Sequence, residues 1–95
     1  MATANAISFE LKNRIPYYKM FPKLSPREIE VLLFSALGFT YSEIAIKLHI
    51  SARTVGRHLS NATEKYNLNR PSELKNMFFF KLVDALAAAM FGNQD

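Results

Sequence analysis

Apolar positions recur along this chain with the period of a helix, and the polar interruptions fall where helices start and stop. Ser25-Pro26-Arg27-Glu28 opens the first strongly periodic stretch. A serine followed three residues later by a glutamate is a capping box. The hydroxyl accepts from the Glu28 N–H, the carboxylate reaches back, and Pro26 suits the first helical position. The spacing predicts a helix running to Gly38, a residue able to take the left-handed conformation at which helices stop. Thr40-Tyr41-Ser42-Glu43 repeats the box and opens a short helix carrying Ile44, Ala45 and Leu48; Glu43 there reads as a cap in preference to a site. Ser51 caps a third helix, and Pro71 fits the first turn of a fourth that runs to Gly92. No strand signal follows residue 23. Ahead of it, residues 7–12 alternate as a strand would, while Ile7, Leu11 and Ile15 also suit a helix, which is the preferred reading. This arm, with Phe9, Tyr17, Tyr18, Met20 and Phe21 besides, is too apolar for a loose tail. It is expected to pack on the first helix or to cross to a second subunit.

The third helix is the informative one. At 100° per residue, Val55, Leu59, Ala62 and Tyr66 fall within about 60° of each other and form the stripe to be buried. Arg53, Arg57, Ser60, Asn61 and Glu64 lie opposite, and Thr54 and His58 share one shoulder. Such a face is either the solvated side of an ordinary surface helix or a surface for the major groove. The preceding elements favour the groove. A short helix to Leu48, a connection of His49-Ile50-Ser51 with Ile50 as its apolar plug, and a longer helix at once are the geometry of a helix-turn-helix. In that motif the second helix reads DNA while the first braces it across the backbone.

These residues resemble the DNA-binding domain of the LuxR/NarL/GerE type of bacterial transcription regulators. The resemblance runs from Leu24 to Leu74 without a gap. It is carried by Leu24-Ser25-x-Arg27-Glu28-x-Glu30-Val31-Leu32, Ala36-x-Gly38, Glu43-Ile44-Ala45-x-x-Leu48-x-Ile50-Ser51, Thr54-Val55-x-x-His58-x-x-Asn61 and Lys65. The DNA-binding helices of sigma factors account for fewer of them. The resemblance implies an all-α, four-helix domain whose third helix enters the major groove and whose fourth commonly forms the dimer contact. The division expected is an N-terminal arm (1–23), a helix-turn-helix core (24–70) and an extended fourth helix (71–95). By position, Thr54 and His58 look like phosphate-side contacts, although Thr54 could simply close the N-terminal turn and His58 could be a satisfied shoulder histidine. Arg57, Ser60 and Asn61 occupy groove-facing positions. Arg57 is the expected base reader, because a guanidinium makes bidentate contact with guanine O6 and N7. Lys47, Arg53, Lys65 and Arg70 are expected on phosphates.

Two positions depart from the family pattern. Where it usually has Lys or Arg after Thr-Val, this chain has Gly56, which costs a helix about 1 kcal/mol relative to Ala. Either the backbone there approaches a phosphate or base edge closely, or DNA binding is degraded in a protein whose work is pairing with another regulator. At Pro71 an ungapped match expects Arg, and Arg70, one residue earlier, is the expected substitute.

The chain also carries more apolar surface than one small core uses. Ile29, Leu33 and Leu37 form a stripe along the first helix outside the expected core set. On the fourth, Leu74, Phe78, Leu82, Ala85 and Ala89 make one stripe, and Phe79, Val83, Leu86 and Met90 a second about 100° away. One stripe closes the core; the other calls for a partner, because large exposed apolar patches are rare on monomers.

Composition and charge narrow the picture. The chain has 95 residues, 49% of them hydrophobic, with no Cys and two His. It is one domain, and a domain of this size buries only about 60–65% of its unfolded surface. Without disulfides or cysteine-based metal sites, self-association is the expected supplement. The net charge of +4 is unevenly spread: residues 47–70 hold five basic residues against Glu64, the arm holds four against Glu10, and the segments between and after are acidic. No secretory signal and no membrane span are visible, so a cytoplasmic protein is expected. No small-molecule ligand, cofactor or metal is implied. No nucleophile–base pair, carboxylate dyad or phosphate loop points to an enzyme. The 23 residues before Leu24 leave no room for the sensor domain most family members carry, so a small stand-alone regulator is expected. The function expected is a dimeric, sequence-specific regulator on double-stranded DNA. The alternative is an interaction module that pairs with another regulator or RNA polymerase and binds DNA weakly or not at all.

Overall fold

In the computed structural model, which describes residues 17–92, every helix predicted from the sequence is held by local chemistry at both ends. The helices are α1 (Tyr17–Met20), α2 (Pro26–Ala36), α3 (Tyr41–Leu48), α4 (Ala52–Lys65) and α5 (Pro71–Phe91). Four match the punctuation of the sequence, and α1 is an additional single turn contributed by the arm. Among the described residues there is no strand; the choice between helix and strand for residues 7–12 lies outside them.

Both capping boxes are closed. The Glu28 N–H donates to Ser25 Oγ at 3.1 Å and the Ser25 N–H to Glu28 Oε1 at 2.9 Å. The Glu43 N–H donates to Thr40 Oγ1 at 3.1 Å and the Thr40 N–H to Glu43 Oε1 at 2.8 Å. Each pair of bonds satisfies donors that the first helical turn would leave orphaned. The helix ends are as specific. Gly38 at φ 98° lets α2 stop in a Schellman turn: the Gly38 N–H donates to Ser35 O at 3.0 Å and the Phe39 N–H to Phe34 O at 3.1 Å. The apolar contact that accompanies such turns is an edge-on pair of Phe34 and Phe39 rings, 5.5 Å between centroids. His49 and Asn67, at φ 59° and 58°, end α3 and α4 in the same way without glycine.

Val31, Leu32, Ile44, Val55, Leu59, Ala62 and Leu74 form a core in which α2, α3, α4 and the first half of α5 converge. The arm closes it. Phe21 is fully buried, stacked on Phe78 at 6.1 Å and edge-on to Tyr66 at 5.7 Å, and Tyr17 packs on Phe78 at 5.9 Å.

Two expectations about surplus apolar surface are revised. Ile29 and Leu33 are buried, so the first-helix stripe belongs to the core and only Leu37, 56% exposed, remains outside. On α5 the core stripe ends early. Leu74 and Phe78 are buried and Leu82 is half-buried, but Ala85 and Ala89 are exposed like every described residue from Val83 onward. The outer half of α5 therefore stands clear of the described body. Among the described residues, no helix is long and apolar enough to cross a membrane.

Candidate nucleic-acid interface

The geometry of α3, its turn and α4 follows from three local devices. His49 in the left-handed region reverses the chain, with the Ile50 N–H donating to Ala45 O at 3.0 Å. Ile50 packs half-buried against the core and fixes the turn. Ser51 then caps α4, accepting from the Thr54 N–H at 3.0 Å.

The α4 helix is held by one seam. Val55, Leu59 and Ala62 are essentially inaccessible, and the Thr63 hydroxyl, also buried, donates back to Leu59 O at 2.6 Å. Fixing the seam fixes the opposite face, where Arg53, Arg57, Ser60, Asn61 and Glu64 are all exposed. Arg53, Arg57 and Asn61 follow one another at intervals of four, so they share a side. Neither arginine makes an ion pair with any described residue, which leaves two guanidinium forks free to meet an anion or a base edge.

The remaining candidates are differently placed. Thr54 and His58 are half-buried on one shoulder, and the Thr54 Oγ1 shares a hydrogen bond with Ser51 Oγ at 2.9 Å, so its hydroxyl already has a partner in the N-terminal turn. Gly56 is half-buried on the opposite shoulder, where a β-carbon would meet the Tyr41 ring at 3.4 Å. Lys47 lies on α3 with its ammonium 4.6 Å from the centre of the Phe39 ring. Arg70 is exposed at the corner before α5, where Glu73 accepts from the Asn69 and Arg70 N–H groups at 2.7 and 3.2 Å.

Lys65 is drawn away from the polar face. Its ammonium donates to Glu28 Oε1 at 2.8 Å and ties the end of α4 to the start of α2. Burial pushes the Glu28 carboxyl upward, but the Lys65 ammonium and the Ser25 N–H and hydroxyl outweigh it and hold the carboxyl below the usual carboxylate range. Among the described residues no group of three His, Cys, Asp or Glu is placed to hold a metal ion.

The expected dimer residues are all on the surface: Phe79 is 44% exposed, Val83 63%, Leu86 50% and Met90 70%. Phe80 and Phe91, absent from the sequence-derived set, are equally exposed. They were missed because a stripe was chosen by angle, whereas a helix clear of the body is exposed all round. The Tyr41–Gly56 contact joins two helices, so neither helix's periodicity shows it; the only signal in the sequence is the glycine itself, out of place in an amphipathic helix.

Residues 22–78 match the family described as bacterial regulatory proteins of the luxR type. The chain is 50% identical over 42 residues to a protein of Yersinia ruckeri named transcriptional activator protein YukR, a stretch covering 44% of this chain and 18% of that one. It is 42% identical over 55 residues to the response regulator protein VraR of Staphylococcus aureus, covering 58% of this chain and 25% of that one. The Staphylococcus epidermidis VraR gives the same figures. The chain thus matches about a fifth to a quarter of the length of these relatives. No solved structure matches it significantly.

Proposed function

The chain belongs to the luxR family of bacterial regulatory proteins, and from that premise we propose that it is a sequence-specific DNA-binding transcription regulator acting as a homodimer. The observation that carries this reading is the division of α4: a fully buried seam of Val55, Leu59 and Ala62, and an opposite face of unpaired Arg53 and Arg57 with exposed Ser60 and Asn61. A helix gripped along one side, presenting arginine forks on the other, is the form in which side chains reach base edges in a major groove. The names of the relatives, a transcriptional activator and a response regulator, support the same reading.

In this reading Arg57 reads a base, Ser60 and Asn61 line the groove, and Arg53, Lys47 and Arg70 contact phosphates. Thr54 and His58 face one strand of the backbone. Lys65 serves first as the clip to Glu28. Phe79, Val83, Leu86 and Met90 face the same surface of a second copy, placing two α4 helices about 34 Å apart on an inverted repeat. In this reading the target is double-stranded DNA in the bacterial cytoplasm, and no cofactor takes part.

The test is selection of bound duplexes from a random pool with purified protein. Enrichment of a palindromic sequence supports the proposal and its symmetry together. A folded protein that enriches nothing supports the second reading, a module that pairs with another regulator or with RNA polymerase. Such a partner would seat on the exposed outer half of α5.

A further inference from the structure

A helix lying in a major groove has a phosphate wall on each side. On α4 the shoulder of Thr54 and His58 faces one wall. The opposite shoulder is poorly equipped: Ala52 and Gly56 carry no polar side chain, and Ser60 carries only a short hydroxyl. On the helical wheel Gly56 lies about 40° from Ser60 and about 60° from Arg53, so it borders the polar face.

Another helix fills that shoulder. The Tyr41 ring, at the first position of α3, lies against Gly56, with Cε2 and Cδ2 at 3.4 and 3.8 Å from where a β-carbon would stand. A single methyl group there would already stand in contact with the ring. Tyr41 is 42% exposed, and its hydroxyl makes no hydrogen bond with the described residues. An aromatic ring is thus braced against the recognition helix with its polar tip free, on the element that crosses the DNA backbone in this motif.

We propose that Tyr41 is a DNA-contacting residue whose hydroxyl donates to a phosphodiester oxygen on the strand facing the Gly56 shoulder, and that a small residue at position 56 leaves its ring in place there. The inference rests on the DNA-binding reading above. Tyrosine hydroxyls are common donors to phosphate, and this one replaces, from α3, the contact that a long side chain at position 56 would make from α4.

The test is titration of a selected duplex and a random-sequence duplex with the full chain, the Y41F and Y41A variants, and the Y41A/G56K double variant. Y41F keeps the ring against Gly56, so it should unfold at the wild-type midpoint yet bind both duplexes about tenfold more weakly, the loss of one hydrogen bond to a charged group. Its salt dependence should match wild type, because a neutral hydroxyl displaces no counterion. Y41A/G56K should bind better than Y41A and gain about one unit of salt slope. Wild-type binding by Y41F would overturn the proposal. So would a loss confined to the selected duplex, a lowered unfolding midpoint that accounts for the loss, or a double variant no better than Y41A. If the unmodified chain binds neither duplex, the DNA-binding reading itself fails, an outcome distinct from a silent Tyr41.

Discussion

Arg57 and Lys65 stand about two turns apart on α4, and the sequence alone offers both to DNA. Their surroundings separate them. Arg57 is exposed and has no ion pair among the described residues, so its replacement by alanine should leave the unfolding midpoint unchanged and weaken binding to the selected duplex by ~1–3 kcal/mol, with relaxed preference at one base pair. Equal weakening of random and selected duplexes would rule out base reading. Lys65 is bound to a buried carboxylate, and its partner predicts a pH signature. A Glu28 carboxyl held below its unfolded value of about 4.3 stabilises the fold fully above that value and loses the contribution as pH falls through the lower, folded one. Glu28→Gln can still accept from the Ser25 N–H but loses the ion pair. Because Lys65 is 41% exposed, water screens the pair, and the variant should be only about 1 kcal/mol less stable near pH 7. Urea unfolding across pH should show that gap constant above the unfolded value and closing as pH falls below it and the wild-type carboxyl takes up its proton; a gap independent of pH would mean that the pair contributes nothing.

Local chemistry sets the boundaries of the helices, and tertiary contact sets what their faces do. Ser51 bears a single cap hydrogen bond at the start of the recognition helix. Ser51→Ala should cost about 1 kcal/mol in thermal or denaturant unfolding, and it also removes the partner of the Thr54 hydroxyl. Gly56→Ala should raise stability by about 0.5–1 kcal/mol, since the added methyl meets Tyr41 at ordinary contact distance while the helix loses its weakest position. A drop in stability would mean that the Tyr41 ring cannot tolerate even a methyl group. The same division explains what could be read from the chain alone. Capping boxes, Gly38 and the Val55–Leu59–Ala62 seam act within a few residues, so α2 to α5 were legible almost to the residue. The burial of Ile29 and Leu33, the Lys65–Glu28 clip and the Tyr41–Gly56 contact were not. Each joins residues on different elements, and helical periodicity gives a residue's angle on its own helix but not what stands opposite.

The far half of α5 extends past the core that its first turns close. Four phenylalanines, Phe78 to Phe80 and Phe91, lie on one helix, yet only Phe78 is buried. A 21-residue helix is about 31 Å long, and its first three turns suffice to close the core through Leu74 and Phe78. Beyond them, Val83, Leu86 and Met90 expose 63%, 50% and 70% of their surface with no described neighbour to cover them. Apolar area left in water forfeits about 25 cal/mol per Å², so a long apolar extension is a net cost unless something covers it. If a second copy does, the double variant Val83→Glu/Leu86→Glu should halve the mass measured by sedimentation. Neither side chain contributes to the described core, so the monomer's own helicity should persist. The variant should also lose most of its affinity for an inverted repeat while keeping the weaker affinity of the wild-type chain for a single half-site, since only the linkage between two recognition helices is removed. An unchanged mass would remove the dimer and leave α5 to a different partner. A mass change with half-site binding also lost would place α5 in the fold of the DNA-binding domain itself.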